Sequence, residues 1–103
     1  MNGEIPATII KKTDSITVFK DITPEAPTHI LIIPNKHFEN MAEVANIDVN
    51  LAGQIFKVAS EIAHELGLKS YRTNVNTGLE AGQSVFHAHL HLLGGRSFAW
   101  PPG

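Results

Sequence analysis

A chain of 103 residues with 43% hydrophobic and 17% charged residues suits one small globular domain, residues 1–103, and is too apolar and too weakly charged to stay disordered. Its net charge of −2 gives no basic footprint for nucleic acid or an anionic membrane surface, and no apolar run reaches the length of a membrane span. The absence of cysteine excludes disulfides and thiolate metal sites, so a metal would have to rest on histidines and carboxylates. The start Met1-Asn2-Gly3-Glu4 is neither basic nor followed by a signal-type apolar block, which makes the cytoplasm the expected location. A core this small, with no disulfide to reinforce it, favours association into a homodimer.

Taken in order, Ile5-Pro6-Ala7-Thr8-Ile9-Ile10-Lys11-Lys12 leads into polar Thr13-Asp14-Ser15, which predicts a short strand and a hairpin turn. Ile16 to Lys20 is rich in β-formers and should pair back antiparallel. Pro24 and Pro27 remove backbone donors and force a loop. Thr28 to Pro34 is nearly all apolar after His29, as expected of a central strand ended by Pro34 and Asn35. Asn40 to Val44 reads as a single helical turn. The main helix starts from Asp48 as N-cap, with apolar residues at Leu51, Ile55, Val58, Ile62 and Leu66 on one stripe and Gly67 suited to end it. Tyr71 to Asn76 is a fourth strand. The Gly-rich turn Thr77 to Gly82 then leads to a strand carrying histidines. Trp100-Pro101-Pro102-Gly103 fits neither helix nor central strand and should extend over a surface. Strands joined by turns around one long helix predict an α+β fold with an antiparallel sheet of about five strands.

The stretch Gln83 to Leu93 holds three of the six histidines at alternate positions. In an extended strand, His87, His89 and His91 project together while Ala88, Leu90 and Leu92 face the core. Neighbouring rings would start roughly 6.6 Å apart at the backbone, close enough to converge on one phosphate or one metal ion. A neutral imidazole is a good nucleophile toward phosphorus when its second nitrogen is held by a fixed acceptor, and adjacent rings can donate to phosphate oxygens or to the leaving group. Gly82, Gln83 and Ser84 lie just upstream, where backbone amides and a hydroxyl can approach an anion.

The run His87-Ala88-His89-Leu90-His91-Leu92-Leu93 resembles the signature of the histidine-triad superfamily of nucleotidyl hydrolases and transferases. The segments Asp21-Ile22, Ala26-Pro27-Thr28-His29, Asn76-Thr77-Gly78, Gly82-Gln83-Ser84, Gly94-Gly95-Arg96 and Trp100-Pro101-Pro102-Gly103 resemble its Hint branch. The resemblance implies a HIT-like fold, a homodimer whose half-sheets join into one, and hydrolysis of purine nucleoside phosphoramidates and aminoacyl-adenylates through a nucleotidyl-histidine, without a cofactor. It implies His89 as nucleophile, His91 on the α-phosphate, Ser84 near the leaving atom, the carbonyl of His87 orienting His89, and His29 as an additional catalytic histidine. Asp21 would take the ribose hydroxyls. Phe19, Ile22 and Leu31 would surround the base, Asn76 would lie near sugar and phosphate, and Gly82 and Gln83 would complete the nucleotide site. Trp100 would reach the partner subunit's site. Several relatives bind zinc through cysteines; this chain has none, and no structural zinc is expected.

Other readings compete. Histidines two apart on a strand can coordinate zinc with help from a nearby carboxylate, giving a metal enzyme. A nucleotide-binding regulatory module with vestigial hydrolysis is a second alternative, and dinucleoside polyphosphate hydrolysis a third. His37 and His64 are read as structural residues, in a turn and near a helix C-terminus.

Overall fold

The computed structural model describes residues 8–102. Ile5, Pro6 and Ala7 of the first predicted strand, and Gly103 of the tail, lie outside the described residues. The elements are β1 (Ile9–Lys12), β2 (Ile16–Lys20), β3 (Thr28–Pro34), α1 (Met41–Ile47), α2 (Val49–Glu65), β4 (Tyr71–Asn74) and β5 (Leu90–Gly94). The fold is α+β: five strands form one open antiparallel sheet in the order β1-β2-β3-β5-β4. The β1–β2 hairpin closes where the Thr13 hydroxyl accepts from the N–H of Ile16 at 3.1 Å, a local bond of the kind that makes threonine a turn former.

Two side-chain caps set the helices. Asn40 Oδ1 accepts from the Glu43 N–H at 2.8 Å and Asp48 Oδ1 from the Leu51 N–H at 3.1 Å, each satisfying an orphan donor of a first turn. Asp48 also ends α1, its own N–H bonding the Val44 carbonyl at 2.7 Å. The predicted single turn at residues 40–44 is therefore a helix of seven residues, because a cap at each end closes more than one turn. Gly67 has φ +72°, which lets the Leu68 N–H return to the Ala63 carbonyl at 2.9 Å and stops α2.

The core lies between the sheet and α2. Val18, Ile32 and Leu90 are aligned across β2, β3 and β5, and with Ile30 and Leu92 they bury against Ile55, Ala59 and Ile62. Because side chains alternate, the neighbouring row Ile9–Phe19–Leu31–His91–Asn74 crosses all five strands on the opposite face. One imidazole thus stands in the middle of the face that the helix leaves open.

The histidine strand is shorter than its sequence suggests. Residues 83–89 are not part of β5, which starts at Leu90 opposite Ile32. Two positions further along, β3 ends on Pro34, which has no N–H to continue a ladder. The Ala88 N–H turns instead to the Phe38 carbonyl at 2.7 Å. Likewise β4 ends at Asn74 rather than Asn76, since β5 offers no partner before Leu90.

Candidate active site

The segment before β5 is fixed by Gln83, only 2% exposed. Its side-chain NH₂ donates to the carbonyls of Glu39 at 2.6 Å and Val85 at 3.1 Å, and its oxygen accepts from the Gly78 N–H at 2.9 Å. This buried amide is fully engaged. What it contributes is the placement of its neighbours Gly82, with φ +97°, and Ser84, which is exposed.

The three imidazoles do not form one face of a strand, and here the sequence expectation is corrected. His87 turns inward: Nε2–H donates to the Pro34 carbonyl at 2.9 Å, and its Nδ1 lies 3.1 Å from Nδ1 of His37. His37, read from sequence as a structural residue in a turn, is the partner of this buried triad ring. Burial, the first cause, pulls the His87 pKa below its ordinary value, keeping the ring neutral. Its Nε2 holds the hydrogen, so its Nδ1 accepts from Nδ1–H of His37.

What His87 does present is its backbone carbonyl, which accepts from Nδ1–H of His89 at 2.7 Å. A carbonyl can only accept, so Nδ1 of His89 carries the hydrogen and Nε2 the lone pair. His89 and His91 have ring centroids 4.9 Å apart and an interplanar angle of 72°. His29 joins them from β3, its ring centroid 5.1 Å from that of His91 and its Nε2 2.9 Å from His91 Nδ1. His91 therefore stands between His89 on one side and His29 on the other. Among the described residues, no buried side-chain nitrogen or oxygen lacks a partner, and neither His89 Nε2 nor His91 Nε2 has one. Both nitrogens therefore reach solvent. Burial, then the neighbouring His89 and His29, push the His91 pKa down to about 4 against a smaller upward pull from Asp21. The ring is uncharged at neutral pH.

Asp21 adjoins His29, with Oδ2 3.4 Å from its Nε2, while Oδ1 accepts from the Thr23 N–H at 2.8 Å. Phe19, buried, and Leu31, half-buried, share the row of His91, and Ile22 is exposed. A cavity of about 270 Å³ opens on His29 and His91 and is bounded by Asn74, Asn76, Arg72 and Phe98 among others. Sequence reasoning missed Arg72, Phe98 and the role of Arg96. The two guanidinium carbons lie 4.9 and 4.2 Å from the Phe98 ring centroid, and Arg96 Nε donates to the Glu25 carbonyl at 3.0 Å. The only signals were Arg72 two residues before Asn74 and the Gly94-Gly95-Arg96 segment itself. Trp100 is 85% exposed and does not line this cavity.

Asp21, His29 and His91 bring three potential metal ligand atoms within 4.8 Å of one another, so the fit to a divalent cation can be tested. His29 Nδ1 accepts from the Glu25 N–H at 3.0 Å, which leaves the hydrogen on Nε2, the atom that would have to bind. A metal-bound imidazole needs a lone pair at the ligating nitrogen and donates through the other one. His29 is wired the opposite way, and the donor set does not fit.

The family model for the HIT domain matches residues 2–98. An uncharacterised HIT-like protein of Synechocystis is 46% identical over 101 residues, covering 97% of this chain and 89% of its own. A 14 kDa zinc-binding protein of Zea mays is 42% identical over 103 residues, covering 97% of this chain and 80% of its own. Among solved structures, a HIT family hydrolase of Legionella pneumophila is 47% identical with a TM-score of 0.91, covering 98% of this chain and 92% of that one.

Proposed function

The chain belongs to the HIT domain family, and on that premise we propose that it hydrolyses purine nucleoside phosphoramidates and aminoacyl-adenylates through a nucleotidyl-histidine at His89. The observation that carries this reading is the solvent-facing Nε2 lone pair of His89, set by the 2.7 Å bond from Nδ1–H to the His87 carbonyl. A similar Legionella protein bears the description hydrolase, which supports the general class.

In the proposed reaction Nε2 of His89 attacks the α-phosphorus and the bond from phosphorus to the leaving nitrogen or acyl oxygen breaks. The His87 carbonyl steadies the positive ring that forms. A leaving amine takes its proton from solvent through Ser84. Water then attacks phosphorus and gives up a proton to solvent, the phosphorus–Nε2 bond breaks with its electron pair returning to Nε2, and the nucleoside monophosphate departs. His91 and Ser84, through its N–H, face the phosphate oxygens, while the N–H groups of Gly82 and Gln83 are spent on the Leu79 and Gly78 carbonyls at 3.0 and 3.1 Å and hold the turn that presents Ser84. Asp21 binds the ribose, Asn76 lies near sugar and phosphate, and Phe19, Ile22 and Leu31 flank the base. Residues 1–103 act as one domain in a homodimer joined into a continuous sheet, with exposed Trp100 reaching the partner's site. No described helix is long and apolar enough to cross a membrane.

The test is turnover of an adenosine phosphoramidate under exhaustive chelation. Release of AMP and free amine at an undiminished rate is expected, because no step uses a metal. Loss of activity on chelation contradicts the mechanism, and tight AMP binding without turnover favours a regulatory nucleotide-binding module.

A further inference from the structure

We infer that the backbone N–H of Glu25, acting through His29, fixes His91 as the Nε2–H tautomer, so that His29 is a positioning residue which makes His91 a neutral hydrogen-bond donor to the α-phosphate. The role at phosphate rests on the function proposed above; the tautomer does not. The chain of donors starts at the Glu25 N–H, 3.0 Å from His29 Nδ1. An amide N–H only donates, so His29 Nδ1 must accept and Nε2 must carry the hydrogen. That Nε2–H then meets His91 Nδ1 at 2.9 Å, which must accept in turn, leaving the hydrogen of His91 on Nε2.

Each other assignment places two hydrogens face to face. A cationic His29 sets Nδ1–H against the Glu25 N–H, and so does the Nδ1–H tautomer of the neutral ring. A His91 hydrogen on Nδ1 faces His29 Nε2–H. The charged and titratable neighbours do not reverse this. Asp21 Oδ2, 3.4 Å from His29 Nε2, favours a hydrogen on that nitrogen, and His89 directs its own Nδ1–H away to the His87 carbonyl. Burial, with the neighbouring rings, keeps His91 uncharged. The start of the relay is itself anchored: Pro24 restricts the chain before Glu25, and Arg96 Nε holds the Glu25 carbonyl at 3.0 Å.

The consequence is a pair of adjacent rings in opposite tautomers. His89 offers a lone pair at Nε2, and His91 offers a hydrogen at Nε2, with centroids 4.9 Å apart. Two backbone groups far apart in sequence, the His87 carbonyl and the Glu25 amide, make that choice. A nucleophile can thus approach phosphorus while an uncharged donor waits for the oxygen on which charge builds.

The experiment is long-range ¹⁵N–¹H NMR of the histidine rings in the free wild-type protein at neutral pH. We expect His91 protonated at Nε2 only and His89 at Nδ1 only. A hydrogen on His91 Nδ1 overturns the inference whatever the activity, and this spectrum decides even if a variant does not fold. His29→Leu removes the relay and should leave His91 as a mixture of tautomers, with kcat toward an adenosine phosphoramidate reduced about 100-fold and KM little changed. His29→Gln keeps an N–H near the place of Nε2 and should restore a single tautomer, with kcat within about tenfold of wild type. A single Nε2–H tautomer retained in His29→Leu also refutes the role of His29. The expected wild-type spectrum in a protein that releases no AMP leaves the tautomer assignment standing and removes the proposed function instead.

Discussion

His89→Ala is expected to lower kcat for an adenosine phosphoramidate by at least about 10⁴-fold, the scale of losing a nucleophile rather than a contact. AMP should still bind with nearly the wild-type affinity. The asymmetry follows from position. His89 is half-buried, makes its one described hydrogen bond to a backbone carbonyl, and is not part of the helix-side core. Its removal therefore takes away the lone pair without moving the sheet. The phosphate-facing groups, His91 and the N–H of Ser84, stay where they are. Single-turnover kinetics measure the first effect and calorimetric titration with AMP the second. Turnover by the variant at the wild-type rate would place the nucleophile elsewhere.

Leu90→Ala should destabilise the protein by about 2–5 kcal/mol, the range for truncating a buried leucine in a packed core. Leu90 is wholly buried, is paired with Ile32, and belongs to the cluster formed with Ile55 and Ile62. Truncation leaves a void between sheet and helix that neighbours can fill only in part. Three residues along β5, Leu93 is half-buried on the open face, and Leu93→Ala should cost less. Urea denaturation of the two variants makes the comparison. A loss below about 1 kcal/mol for Leu90→Ala would mean that the start of β5 is not held by the core as described.

The scaffold was largely legible because its signals are local. Asp48, Leu51, Ile55, Ile62 and Gly67 each act within a few residues and work as their spacing predicts, whereas Val58 is only partly buried and Leu66, expected on the same stripe, caps the helix and is exposed. The apolar run of β3 and the turn at Thr13 are of the same kind. The inward turn of His87 was not legible, because alternation applies only while a strand continues. What ends this one is Pro34, a residue 53 positions away. The cap that lengthens α1 could have been read from Asn40, three residues before Glu43, whereas the amide of Gln83 gives no hint that Glu39 and Gly78 are its partners. The stacking of Arg72 and Arg96 on Phe98 likewise depends on the chain returning across β4 after β5. Charge and hydropathy patterns carry no information about such encounters, which topology alone creates.

The central claim is that the accessible nitrogen of His89 forms a bond to phosphorus. Rapid acid quenching of the wild-type enzyme during turnover of an adenosine phosphoramidate, followed by proteolysis and mass spectrometry, tests it directly. The account predicts one adenylyl group on the peptide containing His87 to His91, located on His89. An adduct on another residue, or AMP formed in full view of the assay with no covalent species trapped at any time, would contradict it.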